Sequence, residues 1–105
     1  KLRPDPTKGG FEPEELLRVW PELQALEGLQ LVGLMTMAPL ELQLPERQRL
    51  FEDCAALAQQ LQLGQLSMGM SGDWIEAAAA GSTWVRIGSA LFGPKALSRP
   101  AWDAI

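Results

Sequence analysis

The sequence contains no histidine, no tyrosine and only one cysteine, Cys54. Without histidine, neither a Ser-His-Asp triad nor a Cys-His pair can form within the chain. A single cysteine allows no internal disulfide, and alone it does not supply the ligands of a zinc site. Cys54 lies in the helix-like run FEDCAALAQQL, where a small buried thiol is the expected role. We therefore expect a reducing, cytoplasmic location.

Positive charge is also scarce, since 13 acidic residues outnumber 9 basic ones and the net charge is -4. Nucleic acids and anionic membranes attract a basic face, and the basic residues here form no run or stripe. No apolar stretch reaches the roughly 18 residues of a membrane span, and no signal peptide is apparent. We expect neither nucleic acid nor membrane as a partner. Because the chain starts with KLR rather than methionine, we also expect it to be part of a longer protein.

Hydrophobic residues make up 47% of the chain, a level typical of globular domains, and their spacing alternates between helix and strand patterns. The pattern predicts a helix from Pro13, which Pro21 ends or kinks, and a final short helix over 90–96. Between them we predict, in order, a strand over 29–35, a helix over 45–63, a strand over 65–69, a helix after Asp73 and a strand over 82–88.

The predicted element ends rest on local signals. Gly64 is expected to stop the long helix and Gly81 the following one, because glycine readily adopts the left-handed conformation. Asp73 and Glu76 have the spacing of a capping box. Strands that alternate with helices through short connections indicate an α/β fold with a parallel sheet, either doubly wound or a (β/α)8 barrel. Three units are under half of a barrel, which needs about 250 residues.

A turn rich in serine and glycine follows the second predicted strand, in the sequence SMGMSGD over 67–73. Such a turn before a helix exposes backbone N–H groups that favour an anion, and Ser67 and Ser71 add hydroxyl groups. An ordinary strand-to-helix turn with a good cap would have the same composition. The motif alone leaves both readings open.

An arginine interrupts the third predicted strand, in the sequence STWVRIGS over 82–89. Strand alternation places Trp84, Arg86 and Gly88 on one face, with Val85 and Ile87 on the other. A charged group within an apolar strand is costly unless it is paired, so Arg86 indicates either a bound anion or a structural ion pair.

The two features reinforce each other because they follow consecutive strands. In (β/α)8 barrels the loops after strands 7 and 8 often form a phosphate site. If this chain is the end of such a barrel, these are its last two strands, and the sequence predicts a phosphate cup.

Four segments of the chain match one known family. They are DPTKGGF with a following EEL, then GLMTMAP, LSMGMSGD and GSTWVRIGSALFG, and the match extends from about Pro4 to Gly93. The chain resembles the pyridoxal 5′-phosphate homeostasis proteins, which have an alanine-racemase-like barrel of fold type III. The resemblance implies that residues 1–105 form the C-terminal part of a single (β/α)8 barrel. It also implies a monomer that binds pyridoxal phosphate, maintains vitamin B6 balance and has no established reaction.

Carried over residue by residue, the resemblance assigns cofactor contacts to two segments. Arg86 matches the family's arginine, which lies at the phosphate or beside the pyridine ring, and Ser89 stands where threonine is common. The family's Schiff-base lysine lies on the first barrel strand, and no lysine here, whether Lys1, Lys8 or Lys95, occupies a matching motif. The implied cofactor-binding residues are Ser67, Gly69, Ser71, Arg86, Gly88 and Ser89.

Other functions are also considered. A fold type III racemase or decarboxylase would carry a second, β-rich domain, and racemases use a tyrosine from it. This chain extends 12 residues past Gly93 and contains no tyrosine, which argues against a racemase. A barrel that binds another phosphorylated small molecule fits the cup equally well, and only the family motifs favour pyridoxal phosphate.

Overall fold

The structure, a computed structural model, describes residues 1–5 and 9–88. Helices and strands alternate along this part of the chain, as the hydrophobic pattern predicts. The elements are α1 (Pro13–Gln24), β1 (Gly33–Met35), α2 (Leu44–Gln60), β2 (Gln65–Ser67) and α3 (Trp74–Ala79).

The two strands pair in parallel, with Gly33 opposite Gln65 and Met35 opposite Ser67. A third extended segment joins the far side of β2 through a parallel bridge between Ser67 and Trp84. The order across the sheet therefore follows the order along the chain. A parallel pair needs a crossover connection, which is supplied here by α2.

The hydrophobic core lies between one face of this sheet and the helices. Residues from α2, β2 and the turn after β2, and α3 form one buried cluster, against which Leu34 of β1 packs. The cluster consists of Leu50, Phe51, Cys54, Ala58, Leu66, Met68 and Ala77. The opposite face is open, since Met35 is 62% exposed and Trp84 is 64% exposed.

The strands are shorter than predicted. β1 covers only the last three residues of the predicted 29–35 strand, because β2 starts opposite Gly33 and offers no partner further back. β2 ends at Ser67 rather than at residue 69. The predicted 82–88 strand contributes a single bridge, and next to it the hydroxyls of Ser82 and Thr83 bond to backbone groups of Met68 and β2.

Two helix ends differ from the prediction. Pro21, which was predicted to end or kink the helix, does not end α1, which continues to Gln24. Proline removes the N–H that would bond to the carbonyl of Leu17, but Leu17 is exposed and water can take its place. Gly64 does not stop α2, which ends at Gln60; Gln62 provides the left-handed residue, with φ of 60°.

The carboxyl end of α2 is a Schellman motif. The N–H of Leu63 donates to the carbonyl of Ala58 at 2.8 Å, and the N–H of Gln62 donates to that of Gln59 at 3.0 Å. The end of α3 repeats this geometry with Gly81, whose φ is 108°, so the predicted role of Gly81 is confirmed.

Among the described residues, no helix has the length and apolar character needed to cross a membrane. The predicted final helix over 90–96 lies outside the described residues, as do Lys8 and Lys95.

Candidate phosphate site

Two turns meet at the carboxyl end of the parallel sheet. The N–H of Arg86 donates to the carbonyl of Gly69 at 2.8 Å, which continues the pairing beyond β2. Further on, the N–H of Gly88 donates to the hydroxyl oxygen of Ser71 at 3.1 Å. The structure thus brings together the two segments that the sequence indicates as one site.

Gly69 is required at its position for two reasons. Its φ is 103°, in the region that disfavours side chains. A Cβ added there would lie 2.7 Å from Cβ of Ala77 in α3 and 3.2 Å from Cγ1 of Val85. Because Gly69 has no side chain, α3 can approach the sheet closely. The short distance to Cγ1 of Val85 shows that Val85 lies on the face of the sheet that the helices cover.

Trp84 lies on the opposite face from Val85, because its indole Nε1 donates to Oε1 of Gln65 at 2.9 Å. The alternation predicted for Trp84 and Val85 is therefore confirmed. The same alternation of side chains, extended from Val85 to the next residue, places Arg86 on the open face of the sheet with Trp84.

Arg86 carries the most unusual feature of the site. Its Nε and Nη2 atoms are buried, and no hydrogen-bond partner for either is found within the described part of the chain. A buried donor without a partner costs about 1–3 kcal/mol, and more when it is charged. An anion bound beside this guanidinium would remove that cost.

Asp73 stands before α3 at the cap position, but it does not form the predicted capping box. Its Oδ1 accepts a hydrogen bond from the N–H of Met70 at 2.8 Å, and its Oδ2 accepts one from Nη1 of Arg47 at 3.0 Å. The carboxylate therefore faces back into the turn and towards α2. It does not bond to the first turn of α3.

Arg47 was not singled out in the sequence. Its Nε donates to the carbonyl of Leu42 at 2.9 Å and its Nη2 to that of Leu40 at 2.8 Å, so it joins the loop after β1 to the turn after β2. The signal that could have revealed it is its place in the first turns of α2, where a basic residue opposes the helix dipole.

The remaining candidates differ in what can be said of them. Ser67 is half-buried and is paired on both sides, with Met35 and Trp84. Gly88 is exposed, and none of the described residues would lie within 4 Å of a Cβ placed there. Ser89 lies outside the described residues.

A cavity of about 640 Å³ lies elsewhere, between the first residues, α1 and β1. It is lined mainly by apolar side chains, including Leu16, Trp20 and Leu31, and by none of the predicted site residues. Within residues 1–5 and 9–88, no cluster of three or more potential metal ligands is present.

The profile of the alanine racemase N-terminal domain matches residues 3–96, nearly the whole chain. The chain belongs to the alanine racemase N-terminal domain family. The α/β architecture described above agrees with that assignment, and it explains why the two turns meet at one end of the sheet.

Curated relatives of this chain are named pyridoxal phosphate homeostasis proteins, as the sequence motifs indicated. The one from Synechocystis is 46% identical, and the match covers 90% of this chain and 46% of the relative. The one from Deinococcus radiodurans is 48% identical over 81% of this chain and 40% of the relative. The chain thus spans less than half the length of these relatives.

Two solved structures of PipY from Synechococcus elongatus are also similar to this chain. The structure without PLP has a TM-score of 0.85 and 46% identity, covering 89% of this chain and 46% of PipY. The structure with PLP bound has a TM-score of 0.81 and 44% identity, with the same coverage.

Proposed function

We propose that this chain supplies the phosphate-binding part of a pyridoxal phosphate homeostasis protein. The observation that carries the proposal is Arg86, whose buried Nε and Nη2 have no partner among the described residues and whose N–H bonds to Gly69 in the turn after β2. The names of the relatives and the PLP-bound PipY structure support this cofactor over other phosphorylated molecules. Those names also favour retention of the cofactor over catalysis of a reaction.

The residues present fit a phosphorylated pyridine. The N–H of Gly88 joins the two turns by bonding to the hydroxyl oxygen of Ser71, and no described residue would lie within 4 Å of a Cβ at Gly88. We assign cofactor contacts to Ser67, Gly69, Ser71, Arg86, Gly88 and Ser89. Arg86 would take either the phosphate or the ring nitrogen.

The cofactor supplies an aldehyde and an electron-withdrawing ring. An arginine at the ring nitrogen would disfavour its protonation and so weaken the ring as an electron sink. That arrangement suits a protein that holds the cofactor and passes it on.

The same proposal includes the fold of the longer protein. The described sheet has helices on one face, while Met35 and Trp84 are exposed on the other, as expected for strands whose inner face meets the rest of a barrel. We propose that residues 1–105 are the C-terminal part of one (β/α)8 barrel domain, cytoplasmic and monomeric. The lysine that holds the cofactor's aldehyde would then lie on another part of that barrel.

The proposal is tested by titrating the protein with pyridoxal phosphate and with pyridoxal, which lacks the phosphate. We expect the phosphorylated form to bind more tightly. Arg86→Ala should weaken binding of pyridoxal phosphate by about tenfold or more, because charge-assisted contacts contribute about 1.5–3 kcal/mol. Ser67→Ala should weaken it less.

Arg49→Ala serves as the control, because Arg49 is an exposed arginine on α2. Equal affinity for the two vitamers, together with equal affinity in wild type and Arg86→Ala, would refute the cup. Circular dichroism would verify that each variant keeps its helical content.

A further inference from the structure

Two residues outside the proposed cofactor contacts hold the turn that carries Ser71. Asp73 closes this turn through a reciprocal pair of hydrogen bonds. The N–H of Met70 donates to Oδ1 of Asp73 at 2.8 Å, and the N–H of Asp73 donates to the carbonyl of Met70 at 3.1 Å. Ser71 and Gly72 are the two residues enclosed between them.

The other oxygen of Asp73 is bound by Arg47, and this ion pair is shielded from water. Its N–O distance is 3.0 Å, and the side chains are only 15% and 6% exposed. Buried ion pairs cost desolvation and often contribute little net stability, so stability alone does not explain why this one is present.

The remaining donors of Arg47 explain its geometry. With Nε and Nη2 bound to the carbonyls of Leu42 and Leu40, the guanidinium cannot rotate without breaking several hydrogen bonds at once. Its planar fork therefore fixes the Asp73 carboxylate relative to α2 and to the loop after β1. A lysine in the same place would bind these partners less rigidly.

We infer that Arg47 and Asp73 are positioning residues for the phosphate-binding turn. They touch no cofactor themselves; they fix the place of Ser71, whose hydroxyl oxygen meets the N–H of Gly88. This inference rests on the proposed function. According to this inference, α2 holds the turn that carries Ser71 in a fixed position relative to the segment that carries Arg86 and Gly88.

The test compares two double variants that both lack the ion pair. Arg47→Met with Asp73→Asn keeps an amide oxygen for the N–H of Met70, whereas Arg47→Met with Asp73→Leu removes that acceptor. Neither variant leaves a buried charge unpaired, so the comparison isolates the clamp on the turn. Arg49→Met is the matched control on the same helix.

The measured quantities are the dissociation constants for pyridoxal phosphate and for pyridoxal, with melting temperatures alongside. We expect the leucine variant to bind pyridoxal phosphate about tenfold more weakly than the asparagine variant, while both bind pyridoxal equally. A residue that only supports the fold would change both constants together.

Equal affinities for pyridoxal phosphate in the two folded double variants would overturn the role of Asp73, and an asparagine variant that binds as tightly as the wild type would overturn the role of Arg47; neither outcome affects the proposed function. Failure of the wild-type protein to bind pyridoxal phosphate would overturn both. If the leucine variant does not fold, Arg47→Lys decides the matter: weaker binding of pyridoxal phosphate with unchanged binding of pyridoxal supports the inference, and unchanged binding of both refutes it.

Discussion

At Arg86, the binding role proposed for the residue and the stability of the fold oppose each other. Its Nε and Nη2 have no hydrogen-bond partner in the described ranges, and burial without a partner is unfavourable. A residue that lowers the stability of the ligand-free protein can be retained when a bound ligand supplies the missing hydrogen bonds. This is the usual pattern of a binding site within an otherwise stable fold.

Replacement of Arg86 by methionine should therefore stabilise the ligand-free protein. Methionine keeps the apolar stem and removes the unpaired charge, so we expect the free energy of unfolding to rise by about 1 kcal/mol. Urea denaturation without and with saturating pyridoxal phosphate would measure it. With the cofactor present, the wild-type protein should be the more stable of the two; the same ranking in both conditions would contradict a ligand role for Arg86.

The second residue with a clear consequence is Cys54. Burial raises the pKa of its thiol from 9.0 to about 11. The unfolded chain loses this proton near pH 9, whereas the folded protein keeps it until about pH 11, so folding is favoured less and less across that interval.

We expect the free energy of unfolding to fall between pH 9 and pH 11 more steeply in the wild type than in Cys54→Ala. Denaturant curves at several pH values for both proteins would show it. Parallel pH profiles would mean that the thiol titrates alike in the folded and unfolded states. The native thiol should also resist a thiol reagent at pH 8 until the protein unfolds.

At the scale of the elements, the sequence predicted the order of helices and strands but not their ends. The order depends on hydrophobic periodicity, which α2 displays with Leu50, Phe51 and Cys54 on its buried side. Strand ends depend on which partner lies alongside, and no local pattern specifies that β2 starts opposite Gly33.

The sequence could indicate the candidate site only as far as its chemistry is local. Gly69 and Arg86 stand out in the sequence. A glycine in a turn indicates a backbone conformation or a close contact that disfavours a side chain, and an arginine in an apolar strand is costly unless it is paired. Arg47 stands out only weakly, as a basic residue in the first turns of α2, because its partner Asp73 is 26 residues away in the sequence and only the fold brings the two together. The missed capping box has the same origin, since Arg47 and Met70 bind the carboxylate of Asp73.

The energetic cost of a left-handed backbone conformation can be measured at Gln62, the residue with positive φ after α2. Gln62 and Gly81 occupy the same place in two Schellman motifs, but a residue with a Cβ pays about 1–2 kcal/mol there. Because glycine also raises the entropy of the unfolded chain, we expect Gln62→Gly to stabilise the protein by about 0.5–1 kcal/mol.

Thermal and urea denaturation would check this value. Gln59→Gly, within the same helix and exposed, is the control and should destabilise by about 0.5–1 kcal/mol. A loss of stability in Gln62→Gly comparable to that in Gln59→Gly would show that the glutamine side chain contributes more than its backbone conformation costs.

At the scale of the whole molecule, one sheet face is covered and the other is open, and the two faces serve different ends. The covered face carries Leu66 and Met68 and holds the helices. The open face carries Met35 and Trp84, with Arg86 following in the same alternation. Stability and the proposed binding therefore depend on largely separate sets of side chains.

The parallel pairing of β1 with β2 also has a consequence for the order of folding. All of α2 lies between the two paired strands, so their pairing requires a long loop to close, which is slow unless the intervening segment folds first. The residues of the buried cluster come from α2, α3 and β2, together with Met68 directly after β2. In contrast, the only buried residue of α1 is Leu16. We expect Phe51→Leu to slow refolding in stopped-flow experiments and Leu16→Ala mainly to speed unfolding, so that α1 docks last onto a nucleus already built around α2.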